Sequence, residues 1–440
     1  MTIFFFIIGI TVVVGFHELG HFAAARAFGI RVLVFSIGFG RPIYRYTSAN
    51  GTEWRISLIP LGGYVKMLDV RDDVAVGDSR HGTDQPYDSQ PAWRKIVVSI
   101  AGPVANLILS VVFFLCVFLF AKNMMPPQQG VVVPDSPVQL ASLMEGDLIT
   151  EINGRRIDNW SDIYWELIRH SDAEIDVLIN RGGEALSLRV VTEDDKKSGL
   201  VAGFQPPLIK PVIGYVDPEG SGFASGLRRG DLIERIGATY IKSWTDLVVF
   251  VSKNPGSTIP VTVLREGQQV KLQLVIGFKP ENSDVGYLGV RADNNATMIS
   301  SSHESRSITL AEAFFKAVVR TWDLSLYTLS SLASMIQGHS GLENLSGPVG
   351  IAKHAGVSAE RGLMSYILFL SLLSVSLAVI NMLPLPLLDG GHVSLHVYEL
   401  IMGKKVPEKV IVTLSRLGLV AILALTVFLL ANDISKLQWR

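Results

Sequence analysis

Two histidines and a glutamate near the start of the chain have the spacing of a zinc hydrolase. His17, Glu18 and His21 form the pattern HExxH within the stretch VVVGFHELGHFAAARAFG. Positions i and i+4 of a helix lie one turn apart on one face, so both imidazoles can reach one Zn²⁺ while Glu18 points toward an attacking water. Because HExxH occurs by chance in about one chain in a hundred of this length, the motif needs support from its surroundings.

The segment that carries this motif is apolar enough to cross a membrane. A spanning helix needs about 20 mostly apolar residues, and residues 1–28 meet that requirement. Each charge at such a depth costs about 2.5–3.5 kcal/mol on insertion scales, so three ionisable residues there indicate a functional site. We expect this helix to be retained, since no basic segment precedes the apolar run as it would in a signal peptide.

A third ligand must come from elsewhere in the chain, because catalytic zinc keeps three protein ligands and one open position. Cys116 is the only cysteine, so histidines and carboxylates must supply the ligands. Asp389, in NMLPLPLLDGGH, is the only acidic residue at the equivalent level of another predicted span, and His392 is a competing ligand. Pro384 and Pro386 forbid a regular helix just before Asp389, and unwound backbone at that depth is tolerated where it lines a cavity or water.

Composition and hydropathy indicate a polytopic α-helical membrane protein. The mean hydropathy is +0.36 and only 18% of the residues are charged, which is too apolar for an ordinary soluble protein. The net charge of -1 leaves no basic excess for binding nucleic acid. We predict that the chain crosses the lipid bilayer in four transmembrane helices, at residues 1–28, 96–120, 363–388 and 410–431.

The distribution of lysine and arginine predicts the orientation of these helices. Basic residues concentrate in residues 29–95 and in the loop between the third and fourth helices. Because short cytoplasmic loops carry such an excess, both loops should be cytoplasmic and the long middle region should lie on the other side. HELGH and Asp389 then lie at the same depth, toward the cytoplasmic side.

The middle region contains two copies of one pattern, predicted at residues 128–200 and 208–280. The copies align without gaps over MEGDLITEINGRRIDNWSDI and RRGDLIERIGATYIKSWTDL, at an offset of 84 residues from Gly146 to Gly230. Ungapped agreement of this length indicates a tandem duplication. Each copy resembles a PDZ domain, an α+β fold that binds a peptide as an added strand. Neither GVVVPDS nor IGYVDPE has the glycine–aromatic–glycine loop of such domains, so steric spacers are the open alternative.

A helical pattern follows the repeat at residues 305–338. Charged residues recur there every three or four positions, opposite an apolar stripe that includes Phe315 and Trp322. This amphipathic helix is too charged to span a membrane comfortably, so we expect it along the outer membrane surface. Packing on the repeated domains is the alternative.

The motifs together resemble those of the site-2 intramembrane metalloproteases. HELGH lies in the first predicted span, GPVAN in the second and NMLPLPLLDG in the third. The tandem insert, followed by LSGPVGIAKHAG, is similar to the members that regulate the sigma-E response of Gram-negative bacteria. The resemblance implies Zn²⁺ as the cofactor, Glu18 as general acid and base, and zinc ligands at His17, His21 and Asp389.

The same resemblance points to residues that bind the substrate. Asn381 is implied to contact the substrate near the scissile bond. We predict that Pro384, next to it in the unwound segment, and Asn106, at the end of GPVAN, contribute to the same site.

The resemblance also implies a β-structured element in the first cytoplasmic loop, residues 29–95, which we predict as a membrane-associated β-hairpin. The alternation of apolar residues favours a strand in GTEWRISLIPLGGYVKM, and LGGY favours a turn. An edge strand beside the zinc can pair with an unwound substrate segment. We therefore predict substrate contacts at Ile59, Gly62, Gly63 and Tyr64. A hairpin that only holds the helices together is the alternative.

These predictions describe an intramembrane zinc metalloprotease of the bacterial inner membrane. By resemblance, its substrate is a single-pass membrane protein of the anti-sigma factor type, already trimmed on its periplasmic side, and remnant signal peptides also fit. The PDZ-like insert would lie in the periplasm and gate access or bind peptide ends, and cleavage would activate an envelope-stress response. The rival interpretations are a non-proteolytic PDZ-containing membrane scaffold and a metal carrier built on the buried His and Asp residues.

Overall fold

The chain divides into two compact units. One consists of Met1–Ala121 with Ser307–Arg440, and the other is the insert Lys122–Arg306. The structure, a computed structural model, describes residues 2–69, 85–120, 127–130, 132, 136–170, 174–191, 203–279, 282–293, 308–337 and 347–438.

The helices and strands of the described residues follow in chain order. The first unit begins with α1 (Thr2–Ala27), β1 (Val32–Thr47), β2 (Glu53–Met67) and α2 (Ala92–Phe120). The insert contains α3 (Pro137–Leu140), β3 (Leu148–Ile152), β4 (Arg155–Arg156), α4 (Trp160–Arg169), β5 (Glu174–Arg181), β6 (Glu184–Val191), β7 (Ile213–Val216), α5 (Ser221–Ala224), β8 (Leu232–Ile236), β9 (Thr239–Tyr240), α6 (Trp244–Ser252), β10 (Thr258–Arg265), β11 (Gln268–Val275), β12 (Gly277–Lys279), β13 (Asn282–Tyr287) and β14 (Val290–Ala292). The first unit resumes with α7 (Leu310–Ile336), α8 (Pro348–Glu360), α9 (Leu363–Asn381), α10 (Asp389–Met402) and α11 (Glu408–Gln438).

Three of these helices are long and apolar enough to cross a membrane, namely α1, α2 and α9. They fall on the first three predicted spans, although α9 ends at Asn381, seven residues before the predicted end of the third span. The fourth predicted span, residues 410–431, lies within α11, and its assignment as a spanning helix stays a prediction.

Helix α2 is the centre of the first unit, where it contacts α1, α7, α9 and α10. Small residues let the helices approach closely. Gly20 of α1 packs on α2 so tightly that a Cβ at this position would lie 2.7 Å from the Cβ of Ala105. Packing through small residues is a common way for helices to associate in lipid, where no hydrophobic force drives them together.

The helix break predicted from Pro384 and Pro386 is present between α9 and α10. Residues 382–388 form no regular helix, and α10 begins with Asp389. Leu387 has a positive φ of 79°, a left-handed conformation that is strained for a residue with a branched side chain. The position of Asp389 is therefore not set by a continuous helix through the third span.

Strands β1 and β2 form a sheet in which both strands bend, so that each pairs with the other along more than one stretch. Residues 34–37 of β1 pair with residues 53–56 of β2 on one side and with residues 63–66 of β2 on the other. The second half of β1 pairs with residues 53–57 as well. Among the described strands, residues 63–67 therefore pair on one side only, and their second edge is open.

Helix α7 covers most of the predicted amphipathic segment, but the structure changes the interpretation of its packing. It contacts α2 and α9 of its own unit, and its location along the outer membrane surface stays a prediction. Its buried stripe includes Ala313, Ala317 and Thr321, whereas Phe315 and Trp322 are exposed. Small side chains allow close contact with α2, so the face that packs is not the strongly apolar one.

The insert contains two sheets of the same strand order, β4-β3-β5-β6 and β9-β8-β10-β11. A buried ion pair recurs in both at the offset of 84 residues. The Nε of Arg181 donates to Asp147 Oδ1 at 2.7 Å, and the Nε of Arg265 donates to Asp231 Oδ1 at 2.7 Å. In the first sheet the pair links β5 to the loop before β3, and in the second sheet it links β10 to the loop before β8.

A related pattern, glycine–aromatic–leucine–glycine, lies just beyond residue 280, the predicted end of the second copy. Gly286, Tyr287, Leu288 and Gly289 lead directly into β14, which pairs with β7. The pattern was missed because it follows the last long hairpin of the copy instead of opening the copy.

We expect Arg265→Ala to destabilise the second sheet by about 3–5 kcal/mol, since it leaves a buried charge without its partner. Asp231 is fully buried, and Arg265 is its only cationic contact among the described residues. Hydrogen exchange of the full chain should show lost protection in β8 and β10. Arg235→Ala, which removes an exposed arginine of β8, is the matched control. Unchanged protection in Arg265→Ala would contradict the prediction.

Candidate active site

The three predicted metal ligands meet in one cluster. The ligand atoms of His17, His21 and Asp389 all lie within 4.8 Å of one another. The Nε2 of His17 is 3.0 Å from Asp389 Oδ2, and the Nε2 of His21 is 3.3 Å from Asp389 Oδ1. Helix α1 supplies both histidines on one face, and the first residue of α10 supplies the carboxylate.

This donor set fits a divalent cation such as Zn²⁺. The Nε2 atoms of His17 and His21 face each other at 3.2 Å, and a buried oxygen of Asp389, Oδ2, has no hydrogen-bond partner among the described residues. Two imidazoles and a carboxylate are typical zinc ligands, and three protein ligands leave one position open. His392 lines the adjoining cavity but does not belong to the cluster, so the geometry favours Asp389 over this competitor.

Helix α2 orients both histidines through contacts with their imidazole rings. The carbonyl oxygen of Val98 accepts a hydrogen bond from His21 Nδ1 at 2.8 Å. This bond leaves the Nε2 of His21 with a lone pair that points to the cluster, an arrangement common to metal-binding histidines. Gly102 lies against both rings, because a Cβ there would overlap His21 Nε2 and lie 2.9 Å from His17 Cε1. The absence of a side chain at Gly102 therefore makes room for the site.

Asn106, predicted to contribute to the substrate site, lies against His17. Its side chain is fully buried and lies 3.4 Å from His17 Nδ1, on the side of the ring away from the cluster. Its Oδ1 has no hydrogen-bond partner, and amide ends are assigned from the hydrogen-bond network. Turned by half a rotation, Oδ1 accepts the Nδ1 proton of His17. Asn106 thus supports a predicted zinc ligand, and its predicted contact with the substrate stays a prediction.

Glu18 faces a cavity of about 620 Å³ that opens beside the cluster. The cavity is lined by all three cluster residues and by residues of β2, α2 and the broken segment before α10. Gly63 of β2 lies so close that a Cβ there would be 2.9 Å from Glu18 Cγ. Residues 63–67 of β2, which line the same cavity, therefore run directly past the carboxylate.

The predicted substrate-binding residues fall into two groups. Gly63, Tyr64 and Asn381 line the cavity, and the Nδ2 of Asn381 lies 3.4 Å from His17 Nε2. The others lie outside its lining. Ile59 and Pro384 are exposed, and Gly62 lies behind the ring of Phe39. Residues 59–62 therefore belong to the part of β2 that precedes the cavity-lining residues 63–67.

Sequence reasoning missed part of the wall of this cavity. Tyr87 and Ser99 line it, although Tyr87 was placed in a cytoplasmic loop and Ser99 in a spanning helix without a role. Tyr87 contacts His396 of α10, with its hydroxyl 3.1 Å from His396 Nε2. His396, like Tyr87, has no role predicted from the sequence. No spacing in the sequence connects residues so far apart.

Comparison with known proteins agrees with this geometry. Residues 5–425 match Peptidase family M50. The chain is 35% identical to the Protease RseP of Yersinia pestis and 34% identical to the Regulator of sigma-E protease RseP of Escherichia coli (strain K12), each over 98% of both chains. A Vibrio cholerae protein named as a zinc metalloprotease is 32% identical, again over 98% of both chains. With a zinc-type cluster buried in apolar helices and full-length relatives of this kind, the chain belongs to peptidase family M50 and is a site-2 intramembrane metallopeptidase.

Proposed function

We propose that the protein hydrolyses a peptide bond in or near the transmembrane segment of a single-pass membrane protein, with His17, His21 and Asp389 as zinc ligands. The observation that carries this proposal is the meeting of these residues with Glu18 and the open edge of β2 at one cavity. A membrane helix is the substrate that this setting suits, because the cluster lies among helices apolar enough to cross a bilayer.

The chemistry divides between the metal and the residues of the chain. When bound, Zn²⁺ supplies a Lewis acid that polarises a carbonyl oxygen and lowers the pKa of water. Glu18 lies beside the ligands, where it accepts a proton from the attacking water and passes it to the leaving amine. Asn381, which lines the cavity next to His17, is placed to donate a hydrogen bond from Nδ2 to the substrate backbone.

The open edge of β2 supports a way of presenting the substrate. A peptide bond within an intact helix has its carbonyl oxygen hydrogen-bonded and its faces shielded, so the helix must unwind before hydrolysis. An unwound segment can pair with residues 63–67, whose backbone groups have no strand partner on that side among the described residues. Because Gly63 lies next to Glu18, pairing there brings the scissile bond to the catalytic carboxylate.

The membrane arrangement is part of the same proposal. We place the protein in the bacterial inner membrane with α11 as its fourth spanning helix, the basic loops in the cytoplasm and the insert in the periplasm. The relatives named as sigma-E regulators support an anti-sigma factor as the substrate class. Cleavage of such a substrate would activate an envelope-stress response.

The insert acts, in this proposal, as a tandem pair of PDZ-like domains that select trimmed substrates. Two sheets of the same order and the Gly286–Gly289 pattern before β14 favour peptide-binding domains of this type. Either bound peptide ends or simple bulk would produce selection. In both cases a substrate that retains a large periplasmic domain is excluded.

A cleavage assay with purified protein tests the proposal. The assay compares two single-pass substrates, one trimmed on its periplasmic side and one with its periplasmic domain intact. We expect cleavage of the trimmed substrate only, loss of cleavage on addition of a zinc chelator, and recovery on return of Zn²⁺. Full activity after demonstrated removal of the metal would refute the zinc mechanism.

The same assay tests the selection by the insert. Removal of residues 130–277 should allow cleavage of the untrimmed substrate and leave cleavage of the trimmed one in place. The full chain measured in parallel is the control. If the shortened chain folds, cleaves the trimmed substrate and still rejects the untrimmed one, the insert is not the gate.

A further inference from the structure

A polar cluster lies on α10 at the opposite end from Asp389, and the proposed chemistry does not use it. Lys95 of α2 donates from Nζ to both carboxylate oxygens of Glu399, at 3.1 and 2.8 Å. The side chain of Lys95 is only 4% exposed. Glu399 is ten residues, or nearly three turns, beyond Asp389 on the same helix. Removing the charged lysine from water costs desolvation free energy, so we expect the pair to have a role that compensates for this cost.

Neighbouring residues extend the cluster and link α10 to the segment that follows β2. His396 Nδ1 lies 3.6 Å from Glu399 Oε2, and Tyr87 reaches His396 Nε2 from the other side. The backbone N–H of Tyr87 donates to the carbonyl of Leu68, just beyond β2. Burial, helped by the nearby Lys95, lowers the pKa of His396 to about 4. This imidazole is therefore neutral at pH 7, and the charges of the cluster are those of Lys95 and Glu399.

Through this cluster, α2 contacts the helix of the third proposed ligand as well, although α2 supplies no ligand itself. Val98 accepts the hydrogen bond of His21, and Asn106 lies against His17. Asp389 is not held by a continuation of α9, because residues 382–388 form no regular helix. Its position depends on how α10 packs on α2, and Lys95 is the residue of α2 that holds α10 through an ion pair.

We propose that the Lys95–Glu399 ion pair is a clamp that sets the position of Asp389 relative to His17 and His21. A helix is a stiff rod, so fixing α10 at Glu399 fixes the start of that rod at Asp389. Buried ion pairs contribute little net stability compared with apolar replacements, but they can specify a unique register. The clamp makes Lys95 and Glu399 positioning residues, and the inference rests on the proposed metal site.

The test measures metal binding by full-length protein in detergent, with no dependence on proteolysis. The key variant is the double substitution Lys95→Met with Glu399→Gln, which removes both charges and leaves no buried charge unpaired. Lys404→Met removes an exposed lysine just beyond α10 and is the matched control. Zinc affinity is measured by competition with a chelating dye, ligand geometry by the visible absorption of the Co²⁺-substituted protein, and folding by thermal unfolding.

We expect the double variant to unfold near the wild-type temperature but to bind zinc about tenfold more weakly, the scale of a lost ligand-orienting contact. Its Co²⁺ spectrum should also change, whereas Lys404→Met should match the wild type in all three measurements. A folded double variant with wild-type zinc affinity and an unchanged Co²⁺ spectrum would overturn the clamp. If the wild type itself binds neither metal, the proposed metal site fails instead, so the two failures are distinguishable.

Discussion

Glu18→Gln is expected to lower the cleavage rate of a trimmed membrane substrate by about a thousandfold or more while leaving zinc binding intact. A positioned general base contributes about 10²–10⁴ to the rate, and the amide of glutamine cannot accept the proton of water at neutral pH. Zinc content should not change, because the proposed ligands are His17, His21 and Asp389 and do not include Glu18. Turnover and metal content measured on the same preparation check both halves of this prediction.

The control for this substitution is Glu360→Gln. Glu360 is the exposed last residue of α8, outside the cavity, so the same loss of charge should leave turnover unchanged. Two outcomes would contradict the assignment of Glu18. One is a Glu18→Gln protein that retains activity, and the other is a loss of activity accompanied by an equal loss of zinc, which would indicate damage to the site.

Gly102→Ala is expected to weaken zinc binding by at least about tenfold and to reduce cleavage with it. An added Cβ would overlap the ring of His21 and press on His17, so both imidazoles must leave their positions. Helix propensity alone predicts a more stable protein, because alanine stabilises a helix interior by about 1 kcal/mol relative to glycine. Zinc affinity and the thermal unfolding temperature, measured together, separate these two contributions.

Gly15→Ala is the matched control on the neighbouring helix α1. A Cβ at Gly15 would meet only Ile37, at an ordinary contact distance of 3.8 Å. We expect this variant to bind zinc as the wild type does. A Gly102→Ala protein with unchanged affinity would show that α2 yields at this point and that the close approach to the histidines is not required.

Some features of the site followed from local rules and could be predicted from the sequence. The i, i+4 spacing of His17 and His21 places both rings on one face of α1 whatever surrounds the helix. The break before Asp389 follows from prolines that cannot continue a helix. The offset of 84 residues predicted two related halves of the insert, and the two sheets with equivalent ion pairs have that relation.

Other features of the site depend on which side of a helix or strand faces the cavity, which local rules do not give. Asn106 was assigned to the substrate from its place in GPVAN, yet the packing of α1 on α2 turns it to the back of His17. Ile59 and Gly62 are predicted to contact the substrate together with Gly63 and Tyr64. The fold of β2 brings only the latter two to the cavity. A strand pairs along its edge, and the sequence does not state which residues of a hairpin form that edge.

The sequence by itself determined which residues could perform hydrolysis and that they lie in apolar segments, because residue type, spacing and hydropathy are local properties. Only the tertiary structure decided how those residues are held. Lys95 and Glu399 are 304 residues apart in the chain, and Gly102 matters only through its contact with His17 and His21. Such contacts depend on how whole helices pack, and the packing of α2 against α1 and α10 is what brings a local zinc motif and a distant aspartate into one site.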